Sequence, residues 1–187
     1  MPHVRSRLRL DTDRSAVLVI DLQEKLLPAI RSAGDVLGQT ERLLQVADLL
    51  GVPSVATQQY PKGLGRLVSP LDQRFPQADE KIDFSSAVCR KPLDRWATQG
   101  RDQIVLVGIE THVCVLQTAL DLLAEGLRPV LPVDAVAARS DFDHQIALDR
   151  MRDCGVTITS CESIIFEWLS TADRPEFKAV SKLIKTS

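Results

Sequence analysis

The chain has 187 residues, which points to a single domain, and 23 Lys and Arg against 25 Asp and Glu leave almost no net charge. That balance excludes a general nucleic-acid binder, whose footprint is a large basic excess. Two Trp, one Tyr and five Phe are too few for a base-stacking platform, while 44% apolar residues suffice for a core without disulfides or a metal.

No apolar run approaches the roughly 18 residues of a membrane span, so no membrane association is expected. The first fourteen residues carry Arg5, Arg7, Arg9 and Arg14 but no apolar leader core or small-residue cleavage site. Residues 1–14 are therefore expected to be a flexible tail ahead of the domain, with a basic transit peptide as the alternative. Cys89, Cys114, Cys154 and Cys161 form no C-x-x-C pair, which favours a reduced, cytoplasmic setting.

Apolar β-rich runs alternate with stretches of helical period. Ala16–Ile20 (AVLVI) is a continuous apolar run, the mark of a strand buried on both faces. Asp35 to Leu50 has its apolar residues near a 3.6 period and stops at Gly51. Pro53–Thr57 is a second strand. Gln58 to Ala78 holds Pro61, Gly63, Gly65, Pro70 and Pro76 and predicts a long loop with one short helix, a length typical of lids and binding loops. Lys81–Val88 (KIDFSSAV) is expected to be extended, and Pro92–Gln99 a short helix with Pro92 in its first turn. Gln103–Gly108 is the third clear buried strand, followed by a helix over Val113–Glu125. Arg128–Val133 is a fourth strand, Asp141–Asp153 a helix capped by Asp141, and Val156–Thr159 a fifth strand. Helical segments at Ser163–Ser170 and Arg174–Lys185 close the chain. This alternation means βαβ units, a parallel sheet and helices on both faces.

In such sheets the chemistry lies beyond the carboxyl ends of the strands, where the winding direction reverses. The first strand delivers Asp21 to that edge. The third ends at Gly108 and leads through Ile109, Glu110, Thr111, His112 and Val113 to Cys114, at the opening of a helix. A helix N-terminus offers free N–H groups and partial positive charge, which favour a thiolate and can hold an oxyanion. If these strands are neighbours, Asp21 can take the thiol proton, and Lys81 can pair with Asp21 and raise the local positive potential. A helix-capping aspartate, a buried structural cysteine and a solvated lysine are the competing readings of each residue taken alone. His3, His112 and His144 show no zinc spacing, and no P-loop, G-x-G-x-x-G or G-x-S-x-G occurs, so no metal or cofactor is expected.

The segments AVLVIDLQ, EKIDFSSAV and VGIETHVCVLQTALDLL, in this order, resemble the isochorismatase-like cysteine hydrolase superfamily from about Ala16 to about Ser160. Thr57–Gly65 (TQQYPKGLG) is similar to a small branch distinct from the nicotinamidases, whose metal-binding histidines have no counterpart here. The resemblance implies a three-layer α-β-α, Rossmann-like fold with a six-stranded, mostly parallel sheet. It implies a triad of Asp21, Lys81 and Cys114, and a non-proline cis peptide between Ile109 and Glu110. It further implies a homo-oligomer, dimer or higher, with sites near subunit contacts.

The expected activity is hydrolysis of a small amide or related C–N bond in a small-molecule substrate through a Cys114 acyl-enzyme. The N–H groups of Glu110 and Cys114 would form the oxyanion site, with Gln23, Gln58, Tyr60, Phe84, His112 and Val113 as the pocket wall. The alternatives are a non-covalent isochorismatase-type hydrolase using Asp21, a catalytically silent binding or redox protein, and a purely structural assembly subunit.

Overall fold

The computed structural model describes residues 4–185. Two strands form its centre. β1 (Ser15–Ile20) and β4 (Gln103–Ile109) are buried at every position and pair in parallel from Ser15↔Gln103 to Ile20↔Gly108. Their side chains alternate between two apolar layers, as a strand's period of two requires. Val17, Val19, Val105 and Val107 pack with Leu43, Leu44, Ile165 and Trp168 on one face. Ala16, Leu18, Ile104 and Leu106 pack with Trp96, Leu122 and Met151 on the other. Continuous apolar runs are thus the correct signature of these strands.

The remaining strands are β2 (Ser54–Gln59), β3 (Asp79–Lys81), β5 (Arg128–Pro132), β6 (Val136–Ala137) and β7 (Thr157–Thr159). The order is β3-β2-β1-β4-β5-β7, and every pairing is parallel. The sheet has seven strands rather than six. The additional one is β6, where the chain leaves β5 through a 3-10 turn and returns beside Gly108 and Ile109. Helices α1 (Ala33–Leu49), α4 (Arg90–Thr98), α6 (Asp141–Asp153), α7 (Cys161–Leu169) and α8 (Phe177–Lys185) flank the sheet. They are joined by the short α2 (Pro61–Leu64) and α3 (Leu71–Arg74) and by α5 (Leu116–Ala124). The winding reverses between β1 and β4, which puts the switch point between the ends of those two strands.

Several local expectations need correction. Lys81–Val88 is extended only through Lys81; Ser86–Val88 is a 3-10 turn whose cap, Ser85, accepts a bond from Ala87 N. The segment after β2 contains two short helices and is stitched to the chain behind β1. Val68 N donates to Leu22 O at 2.9 Å, Glu24 N donates to Arg66 O at 3.0 Å, and Leu67 and Leu71 are buried. Ser140, not Asp141, caps α6, because its hydroxyl reaches Asp143 N. The tail is docked from Arg5 onward: Arg5 donates to Leu10 O and Glu167 O, Gln103 accepts from Asp11 N, and Leu10 is buried. His3 lies outside the described residues.

Candidate active site

The site begins where β1 and β4 run out together. Asp21 follows Ile20 with φ +53°, a left-handed conformation that aspartate tolerates better than most residues and that turns the chain at the sheet edge. Its side chain is fully buried. Opposite, Gly108 has φ +122°, and a Cβ there would lie 2.0 Å from Ile20 O. Only glycine lets the two strand ends meet this closely. The next peptide bond, Ile109–Glu110, is cis. A π-helical turn, Thr111–Val115, then precedes α5 and carries Cys114. Such turns occur mostly as single inserts in helices and often at functional sites.

Lys81 ends β3, two strands away from β1, and its side chain crosses beneath β2's end to Asp21. Its Nζ lies 2.6 Å from Asp21 Oδ2, 2.8 Å from Gln59 Oε1 and 3.0 Å from Phe84 O. An ammonium has three protons, so these acceptors satisfy it. On the anion, Thr57 Oγ1 donates to Asp21 Oδ1 at 2.9 Å. The pair is therefore buried but fully bonded, the condition under which an interior ion pair is tolerated.

Cys114 sits beside this pair and, as a residue, is only 6% exposed. Burial pushes its pKa up to about 12; the Asp21 carboxylate adds to the rise, while Lys81 and the backbone N–H of Glu110 oppose it. The helix terminus that favours a thiolate is thus opposed by burial. Desolvation outweighs both the local backbone and the lysine, so the sulfur holds its proton next to a carboxylate that can accept it.

The fold is shared with known proteins. An isochorismatase-domain profile matches residues 15–163. This chain belongs to the isochorismatase family. Isochorismatase domain-containing protein 1 of Salmo salar is 40% identical over 172 residues, covering 89% of this chain and 59% of the relative, so the chain spans about three fifths of that relative's length. Isochorismatase domain-containing protein 2A of Mus musculus is 40% identical over 181 residues, 95% of this chain and 85% of its own. A solved structure described as MAR1 ribonuclease from Caenorhabditis elegans superposes with a TM-score of 0.88 at 38% identity, covering 96% and 93% of the two chains.

Within this family fold, the expected wall residues divide. His112 and Val113 lie half-buried in the Cys114 turn, and His112 Nδ1 is buried without a partner. Tyr60 and Phe84 are half-exposed at the ends of the two segments that bear Gln59 and Lys81. Two assignments are corrected. Gln23 is fully buried and clamps the following loop: Nε2 donates to Gln59 O and Gly65 O, and Oε1 accepts from Gln59 N. Gln58 points to the opposite face of β2, where its Oε1 accepts from Leu67 N and it lines a cleft with Arg66, Asp72 and Phe75.

Sequence reading missed Thr57 and Gln59. Strand parity was the available signal: residues two apart in β2 share a face, so Thr57 and Gln59 line up together and Gln58 does not. A cleft of about 360 Å³ also opens at this sheet edge beside Asp35, Asp134 and His144, but it contains no triad residue. Among the described residues no group of His, Cys, Asp or Glu is placed to hold a metal ion, and no helix is long and apolar enough to cross a membrane.

Proposed function

We propose that the protein is a cysteine hydrolase that cleaves a small amide or related C–N bond. The observation that carries this reading is the buried Lys81–Asp21 pair, 2.6 Å apart, set against the buried Cys114 side chain. As Sγ bonds to the substrate carbonyl carbon, its proton moves to Asp21. Asp21 then gives that proton to the leaving nitrogen as the C–N bond breaks, leaving a thioester. Water attacks the thioester, loses a proton to Asp21 and releases the acid, and the returning thiolate takes the proton back. Lys81 donates to Asp21 and keeps it oriented between steps. The N–H groups of Glu110 and Cys114 serve the oxyanion. A positioned general base typically contributes about 10²–10⁴-fold and an oxyanion donor about 10²–10³-fold.

The substrate in this reading is a small molecule, with Tyr60, Phe84, His112 and Val113, which flank Gln59, Lys81 and Cys114 along the chain, as its wall. The nematode neighbour is described as a ribonuclease. The charge arrangement here does not favour that substrate, because Lys81 is sealed behind Asp21 and Gln59 and cannot meet a phosphate. Exposed Tyr60, Ile82 and Phe84 at one sheet edge support a homo-oligomer, and four free cysteines support a cytoplasmic setting.

The test is intact-protein mass after incubation with a panel of small amides and aldehydes. Aldehydes trap a nucleophilic thiol as a thiohemiacetal. An adduct that maps to Cys114 and vanishes in Cys114→Ala is expected. Full turnover of an identified substrate by Cys114→Ala or Cys114→Ser would overturn the covalent route in favour of Asp21 acting alone on a water or substrate oxygen.

A further inference from the structure

Three hydroxyl residues near the triad have no part in the steps above, and all three are fully buried: Thr57, Ser86 and Thr118. Thr57 Oγ1 donates to Asp21 Oδ1 at 2.9 Å and lies 3.1 Å from Ser86 Oγ. Ser86 N donates to Thr118 Oγ1 at 2.8 Å, and Thr118 Oγ1 donates to Cys114 O at 2.6 Å.

A hydroxyl carries one proton. Thr57 has given its proton to a carboxylate, which can only accept, so Ser86 must donate in the bond they share. Thr118 has given its proton to a carbonyl, so it accepts from Ser86 N–H. Every direction in the chain is therefore fixed. Ser86 donates both ways, and its two branches end on Asp21 and on the backbone of Cys114.

We propose that Thr57, oriented by Ser86, is a positioning residue that fixes the Asp21 carboxylate and supplies one of the donors to its ionised form. This rests on the reading of Asp21 as the acceptor of the Cys114 proton. Each donor to a carboxylate stabilises its ionised form, and in a buried site no water replaces a lost one. The titratable groups facing Asp21 are Lys81 from β3, Cys114 from the turn after β4, and Cys89, itself near Asp79, from the start of α4. Lys81 and the Cys114 thiol are the other side-chain partners of Asp21. A residue that merely filled space would be replaced by valine, which has threonine's shape without its hydroxyl.

The experiment follows the pH dependence of Cys114 alkylation by iodoacetamide from pH 4 to 9, read on the Cys114 peptide by mass spectrometry. Folding of each variant is checked by thermal melting. The acid limb of that profile reports deprotonation of the Asp21–Cys114 pair as a unit. In Thr57→Val it moves up by about one pH unit. Thr57→Ser restores it. Ser86→Ala, which leaves Thr57 its hydroxyl, moves it in the same direction by less. Asp21→Asn removes it and leaves only the thiol's own ionisation at alkaline pH. If Asp21→Asn shifts the profile but neither Thr57→Val nor Ser86→Ala does, the positioning role is wrong and the acceptor reading stands. A shift in Thr57→Val that Thr57→Ser fails to reverse likewise overturns the positioning role. If Asp21→Asn leaves the limb in place, the acceptor reading fails.

Discussion

Lys81 Nζ lies 2.6 Å from Asp21 Oδ2 with both side chains wholly shielded from water. Such a pair adds little to stability, since desolvating two ions cancels much of their attraction. Removing one partner is different, because it strands a buried charge. Lys81→Met and Asp21→Leu should each lose about 3–5 kcal/mol in urea unfolding. The double variant should lose clearly less than both losses added together, although it will be inactive. Strict additivity would show that the two charges are not coupled.

The raised Cys114 pKa makes stability depend on alkaline pH. The folded thiol resists ionisation up to about 12, against an ordinary value of 9.0. Above that ordinary value the unfolded chain binds fewer protons than the folded one, so stability falls as pH rises. It is intact below the ordinary thiol range and is lost progressively toward pH 12. Cys114→Ala should flatten the fall in urea midpoint between pH 8 and 10.5. A residual slope remains from Cys89, pushed up to about 11 by burial, and from buried Cys161, also raised.

Gln23 tests the distinction between wall and scaffold. Its amide makes three hydrogen bonds to the backbone of Gln59 and Gly65. Gln23→Ala leaves buried backbone groups without partners and should cost about 3 kcal/mol. The readouts are urea unfolding and faster amide exchange over residues 59–65. A pocket residue would instead change substrate affinity and leave both unchanged.

The two central strands were legible because burial on both faces writes itself as unbroken apolar runs, and an acid directly after such a run must reach the sheet edge. Asp21 and Cys114 followed from that logic, and β1 and β4 are indeed neighbours. Lys81 was reached through its motif as much as through physics, since a lysine in a three-residue edge strand carries no periodic signal. The polar shell was less legible. Choosing Gln58 over Thr57 and Gln59 was an error of one residue in strand parity, and a one-residue slip exchanges the two faces of a strand. The burial of Cys114 was not legible, because helix-terminus effects are local, whereas desolvation depends on neighbours distant in sequence.

Gly108 separates two costs that positive φ usually mixes. At Gly126, φ is +79° and a Cβ would meet nothing within 4 Å. Gly126→Ala should therefore pay only for the left-handed backbone, about 1–2 kcal/mol. At Gly108 a Cβ would stand 2.0 Å from Ile20 O and 2.8 Å from Ile20 C, both backbone atoms that cannot rotate away. Gly108→Ala must then push β4 off β1 at the register pair Ile20↔Gly108, and a loss on the order of 4 kcal/mol or more is expected. The same displacement would carry the Cys114 turn away from Asp21, so alkylation of Cys114 should lose its dependence on Asp21 in any folded fraction. Equal losses for the two alanine variants, measured by urea unfolding, would mean that the close approach of the strand ends is not what this glycine secures.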